Sequence, residues 1–201
     1  MSRLARTLLL AAVAFCFVAP SVGAAAHRHL LIDFWSTVLE TPAAENPFST
    51  GDPTCFDVGG NTVVPLVPSP SSVQEFACTV KRGTKVFVAA STWECSTFAV
   101  WDHDGFGTTE DELRACARHY DAQVRPSVTL DEQRVPVSEI ETGLLRIYLP
   151  MDNIFGVTGG DRNGQSVAHG WVVPLMHLAP GTHTIELDIA GKTTTTTIIV
   201  S

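Results

Sequence analysis

The residues best suited to chemistry lie in the run Asp102-His103-Asp104-Gly105-Phe106-Gly107-Thr108-Thr109-Glu110-Asp111-Glu112. A hard cation such as Ca(II) takes several oxygen ligands on a tightly turned backbone, and Asp102, Asp104 and Gly107 fall at ligand and turn positions of such a loop. Two departures break the motif. Phe106 stands where a third oxygen ligand belongs, and Leu113 stands where the closing bidentate Glu would be. The favoured reading is an acidic, solvated turn that introduces a helix, with weak Ca(II) binding as the alternative. Asp161-Arg162-Asn163-Gly164 poses the same choice in fainter form, and a plain turn is expected there.

A second candidate depends on processing. Arg3 and Arg6 precede an apolar run from Leu8 to Val18, and the small residues Gly23, Ala24, Ala25 and Ala26 follow, which is the layout of a cleavable secretion signal. Cleavage after Ala26 would expose His27-Arg28-His29, whose free amine, amides and third-position imidazole can bind Cu(II) in a square plane. His27 could instead chelate through its amine and ring, joined by His169 or His183. Cleavage after Ala24 leaves two alanines ahead of His27 and removes both arrangements. Exposed terminal histidines without metal are the plainer expectation, and no cofactor is expected.

Hydrolytic signatures do not occur: the chain has no Gly-x-Ser-x-Gly elbow, no His-Glu-x-x-His helix and no Gly-rich phosphate loop. A triad built from distant residues would leave no such mark, so an extracellular hydrolase stays open as an alternative. His183 falls on the apolar side of an alternating strand and is expected to be a satisfied core histidine. Glu94 reads either as a buried, hydrogen-bonded acid or as a loop carboxylate. Among the tryptophans, Trp35 and Trp171 suit core packing, whereas Trp93 and Trp101 bracket a polar stretch. Exposed there, they would form a binding surface for flat ligands such as sugar rings.

The compartment follows from the signal and the cysteines. Cys16 leaves with the signal, and Cys55, Cys78, Cys95 and Cys116 remain in a domain of about 175 residues, long enough for one core. An even cysteine count in a secreted chain implies disulfides, and the expected pairing among the three possible is Cys55 with Cys78 and Cys95 with Cys116. Loops of that length are each worth about 3 kcal/mol in the chain-entropy account. A redox role would need a Cys-x-x-Cys spacing, which is missing. The formal charge of −8 becomes −10 when the signal removes two arginines and no acid, which argues against a nucleic-acid partner. No second apolar stretch approaches the roughly 20 residues needed to span a bilayer. The partner to expect is an extracellular ligand, with glycan or cell wall as the leading classes.

The elements that must position these residues read as follows. Leu31, Phe34, Trp35, Val38 and Leu39 recur at helical spacing and Pro42 stops them. An irregular segment is expected over 43–60, then strands over Val63–Val67, Phe76–Val80 and Lys85–Ala90. Thr109 and Glu112 form a capping box for a helix reaching about Tyr120, with Leu113, Cys116, Ala117 and Tyr120 on one face. Strands follow over Ser127–Leu130, Leu144–Leu149, Gly170–Leu175, His183–Ile189 and Thr194–Val200, the last absorbing a run of threonines. The alternation of His183, Ile185, Leu187 and Ile189 with Thr184, Glu186 and Asp188 marks a sheet with one wet face.

Several segments carry a resemblance: Phe34-Trp35 with Asn46-Pro47-Phe48, Glu94-Cys95-Ser96-Thr97, Gly107-Thr108-Thr109-Glu110 leading into Glu112-Leu113-Arg114-Ala115-Cys116-Ala117, Leu149-Pro150 with Asp152-Asn153 and Phe155-Gly156, Ala168-His169-Gly170-Trp171, and Leu178-Ala179-Pro180-Gly181-Thr182-His183-Thr184-Ile185. Together they resemble a family of uncharacterised small secreted microbial proteins over most of the mature chain, the stretch from Phe98 to Phe106 being the least typical. The resemblance implies one exported domain with paired cysteines and a β-rich C-terminal half, and it brings no catalytic residues. The expected fold is mainly β, an immunoglobulin-like sandwich with two short helices and two disulfides. The expected function is a non-catalytic secreted or envelope-associated binding module. A copper protein using His27 and His29 and a hydrolase are the alternatives.

Overall fold

The computed structural model describes residues 22–68, 75–98 and 106–201, with side chains from residue 26 onward. Helix α1 (Val22–Glu40) carries its apolar stripe toward a sheet, burying Leu30, Leu31, Phe34, Trp35, Val38 and Leu39. Burial of such a side chain is worth roughly 1.5–3 kcal/mol, so this one face accounts for much of the helix's attachment. The helix ends two residues before Pro42, and Asn46 Nδ2 donates to the Val38 carbonyl at 2.6 Å, satisfying one of the carbonyls a helix end leaves free. The same Asn46 caps the single turn α2 (Pro47–Thr50), accepting from the Phe48 amide.

Two sheets follow. The first contains β1 (Thr54–Asp57), β2 (Thr62–Leu66), β4 (Lys85–Ser96), β9 (Asn163–Leu175) and β7 (Ser138–Glu141) in that order, with β8 (Leu145–Tyr148) also paired to β9. The second runs β3 (Glu75–Val80), β11 (Lys192–Val200), β10 (Gly181–Ile189), β5 (Ser127–Leu130) and β6 (Gln133–Val135). Alternation along β4 splits the core. Phe87 joins α1 with Val64, Ala168 and Val172, while Val86, Val88 and Ala90 meet Cys78, Val128, Ile185 and Ile198 from the second sheet. The first sheet is thus covered on both faces. Helix α3 (Glu110–Asp121) covers the far end of the second face, where Leu113 and Ala117 pack on Cys95 and Val167.

The mainly β reading and both disulfides are found as expected: Cys55–Cys78 ties edge strand β1 to edge strand β3, and Cys95–Cys116 ties β4 to α3. The expected capping box is formed, Glu112 closing on the Thr108 and Thr109 amides. Other expectations are corrected. Among the described residues there are three α-helices, the single turn α2 adding to the two expected, and α1 is 19 residues long. The segment expected to be irregular contains α2 and β1. The sheets are not confined to the C-terminal half: β1 to β4 also contribute, β3 pairing with β11 and β4 with β9.

Candidate functional site

Strand β4 continues past the expected Ala90 to Ser96, and a β-bulge between Ala89 and Ser91 shifts its register against β9. Trp93 therefore lies in a strand rather than beside a loop. Past the bulge it sits opposite His169 on β9, and His169 in turn sits opposite Glu141 on β7. One row further, Ser91 faces Trp171, which faces Glu139. The C-terminal end of α3 delivers Tyr120 and Asp121 onto these rows.

This surface combines a rigid aromatic with a polar network. The Trp93 ring stacks on Tyr120 with centroids 4.3 Å apart and planes at 22°, yet Trp93 keeps 41% of its surface exposed. Beside it His169, 7% exposed, directs Nδ1 at Asp121 Oδ2 (3.3 Å) and Nε2 at Glu139 Oε1 (3.5 Å). The buried Asp121 accepts from Ser91 Oγ at 3.1 Å through its other oxygen. Arg125 lies over the Trp171 ring, 4.8 Å from its centroid, and donates to the Ala122 and Val124 carbonyls.

Asp121, His169 and Ser91 are the residue types of a hydrolytic triad, but their order differs. In a triad the hydroxyl meets the free imidazole nitrogen, whereas here Ser91 bonds the carboxylate and the far nitrogen faces Glu139. The group therefore braces β9, β4, β7 and α3 against one another, and the accessible chemistry is that of the aromatic face and the Glu139 carboxylate, which is half exposed.

Glu94 lies on the opposite face of β4, toward α1. Ser166 Oγ donates to Glu94 Oε1 at 2.5 Å, which decides for the hydrogen-bonded acid over the loop carboxylate. Loss of water around the carboxyl pushes its pKa up to about 7, against the lowering effect of the Ser166 and Ser96 hydroxyls. Part of the residue's surface stays accessible to water.

His183 is a structural histidine. Its Nδ1 lies 2.7 Å from Asp131 Oδ2 and its Nε2 2.9 Å from the Ala179 carbonyl, two acceptors that only the imidazolium can satisfy together. The Asp131 hydrogen bond is the leading cause that raises the His183 pKa, and the His183 hydrogen bond lowers that of Asp131. A raised histidine pKa stabilises the fold below its unfolded value and loses that stabilisation as pH rises through the folded value. The depressed Asp131 contribution is lost as pH falls through its own folded value. We expect the melting-temperature gap between wild type and His183→Ala to be wider near about pH 6 than near about pH 9, checked by paired thermal melts.

The other sequence candidates are placed as follows. Trp101, Asp102 and Asp104 lie outside the described residues. Gly107 is buried, where a Cβ would meet the Leu113 side chain at 3.0 Å, and Glu112 is engaged in the capping box, so these two serve helix α3. His27 and His29 both lie within α1, which also runs through the two expected cleavage points; two residues apart on a helix, they sit on nearly opposite sides. Among the described residues no group of three or more His, Cys, Asp or Glu is arranged to hold a metal ion. Trp35 is in the core, stacked on Phe48, as expected, whereas Trp171 is only partly buried and lies beneath Arg125 rather than in a core cluster. An open groove lined by Glu40, Arg146, Tyr148, Asn163 and Gln165 offers another aromatic, but the Tyr148 ring carries the Arg162 guanidinium 4.8 Å from its centroid.

The sequence alone does not mark Tyr120 and His169 as neighbours of Trp93, nor Asp121 and Glu139 as neighbours of His169. The usable signal was the alternation Val167, His169, Trp171 along a strand, which sets them on one face. Many resemblance-bearing residues prove to hold the fold together. Asn153 donates to the Pro150 and Val157 carbonyls and accepts from the Phe155 and Val157 amides, using its whole side-chain amide to shape one loop. No protein family, curated protein or solved structure matches the chain.

Proposed function

We propose that this chain is a secreted, non-catalytic binding protein with an immunoglobulin-like arrangement of its two sheets, and that its ligand face is the surface around Trp93. Membership in the family of uncharacterised secreted microbial proteins is part of the same reading. The carrying observation is that Trp93 keeps 41% of its surface exposed in the middle of a strand while Tyr120 stacks on its ring. A large aromatic exposed at this cost to solvation, and prevented from rotating, is preorganised for a flat apolar ligand face. Sugar rings present such a face together with hydroxyls that Glu139 can accept. Two disulfides and a net charge of −8 fit an extracellular setting. Among the described residues no helix is long and apolar enough to cross a membrane.

Co-sedimentation of the protein with insoluble cell-wall polysaccharides tests this reading. Trp93→Ala should lower retention by about tenfold, the loss of one stacked aromatic contact, while costing about 1–2 kcal/mol in stability because the stack on Tyr120 goes with it.

A further inference from the structure

The Trp93 surface is not a neutral aromatic platform. Arg114 and Arg118 are tied to Glu110 and Glu141, and Arg125 is held against Trp171 and the Ala122 and Val124 carbonyls. Glu139 has no Lys or Arg partner among the described residues and is 52% exposed. Its carboxylate lies 3.5 Å from Nε2 of His169, the residue directly opposite Trp93, so a part-exposed indole and a half-exposed carboxylate without a Lys or Arg partner flank the same imidazole. Ammonium groups are drawn both to the face of an indole and to a carboxylate, and the chain's overall negative charge favours a cationic partner.

Resting on the binding role proposed above, we infer that this surface selects glycans whose sugars carry a free, protonated amine, the ring stacking on Trp93 and the ammonium pairing with Glu139. An N-acetylated sugar keeps the ring face but loses the charge, and a neutral glucan lacks the nitrogen altogether. The occupant that fits both halves of the site is therefore an oligomer of glucosamine type.

Titration of the protein's tryptophan fluorescence with oligomers of glucosamine, N-acetylglucosamine and glucose tests this, in buffer acidic enough to protonate the amine and leave the carboxylates ionised. The glucosamine oligomer should bind about tenfold more tightly than the other two, a cation–π contact and an exposed ion pair together. Glu139→Gln should cut that preference several-fold, leaving only the cation–π share, Trp93→Ala should weaken binding of all three, and Glu45→Gln, an exposed acid elsewhere, should change nothing. Added salt should weaken the glucosamine oligomer alone. Equal binding of the acetylated or neutral oligomer, still lost in Trp93→Ala, overturns the amine preference and leaves the binding role standing. An equal effect of Glu45→Gln also overturns it, as general attraction to an acidic chain. Binding of none of the three overturns both.

Discussion

Glu94→Gln is expected to stabilise the protein by up to about 3 kcal/mol at alkaline pH and to have little effect in acid. The carboxyl faces the α1 side of the first sheet, and its described hydrogen-bonding partners, Ser166 and Ser96, are neutral. With the folded-state pKa raised from 4.5 to about 7, the native state holds this proton while the unfolded chain has already released it. Stability from this group is therefore full below the unfolded value and is lost as pH rises through the folded one. Glutamine keeps an oxygen for Ser166 and has no charge to desolvate. Urea titrations at about pH 4 and about pH 8 give the difference directly: the variant's advantage should appear only at the higher pH, with an unchanged m-value. Equal stability of both proteins at both pH values would mean that the carboxyl is well hydrated.

Gly170→Ala carries the other large effect. Gly170 lies on β9 opposite Thr92, just past the bulge in β4, and a Cβ there would come within 2.4 Å of the Ser91 carbonyl oxygen and 2.6 Å of Thr92 Cα. Backbone cannot swing aside as a side-chain tip can, so the two central strands must separate. Overpacking of this kind costs about 3 kcal/mol. The damage should extend to ligand binding, because the same separation moves Trp93 away from His169. Gly143→Ala, with open space around the added carbon, should be near neutral. Chemical denaturation of both variants measures the contrast, and a Gly170→Ala protein as stable as wild type would contradict the close strand approach.

What could be read in advance was what is written locally. The capping box at Thr109 and Glu112 needs only residues three apart, and the cysteine pairing joins sequential neighbours in two loops of similar length, 23 and 21 residues. Strands β1, β6 and β7 escaped notice because three or four residues with Pro and Glu beside them show too little alternation to register. The polar run Trp93-Glu94-Cys95-Ser96 looked like a loop, since its two faces meet different environments: Trp93 and Cys95 face α3, and Glu94 faces the α1 side. Their shared strand is visible only once β9 is known to lie alongside. The contact of His169 with Asp121 spans 48 residues of sequence and depends on where α3 ends, which no spacing rule encodes.

Binding through the Trp93 face is the central claim. The most direct measurement is the retention of wild type, Trp93→Ala and Tyr148→Ala on cell-wall polysaccharide under identical conditions. Tyr148 is more exposed than Trp93, at 53%, but lies in the other groove, so it reports on general aromatic stickiness. Wild type and Tyr148→Ala should be retained and Trp93→Ala released. Retention of Trp93→Ala at the wild-type level would contradict that claim.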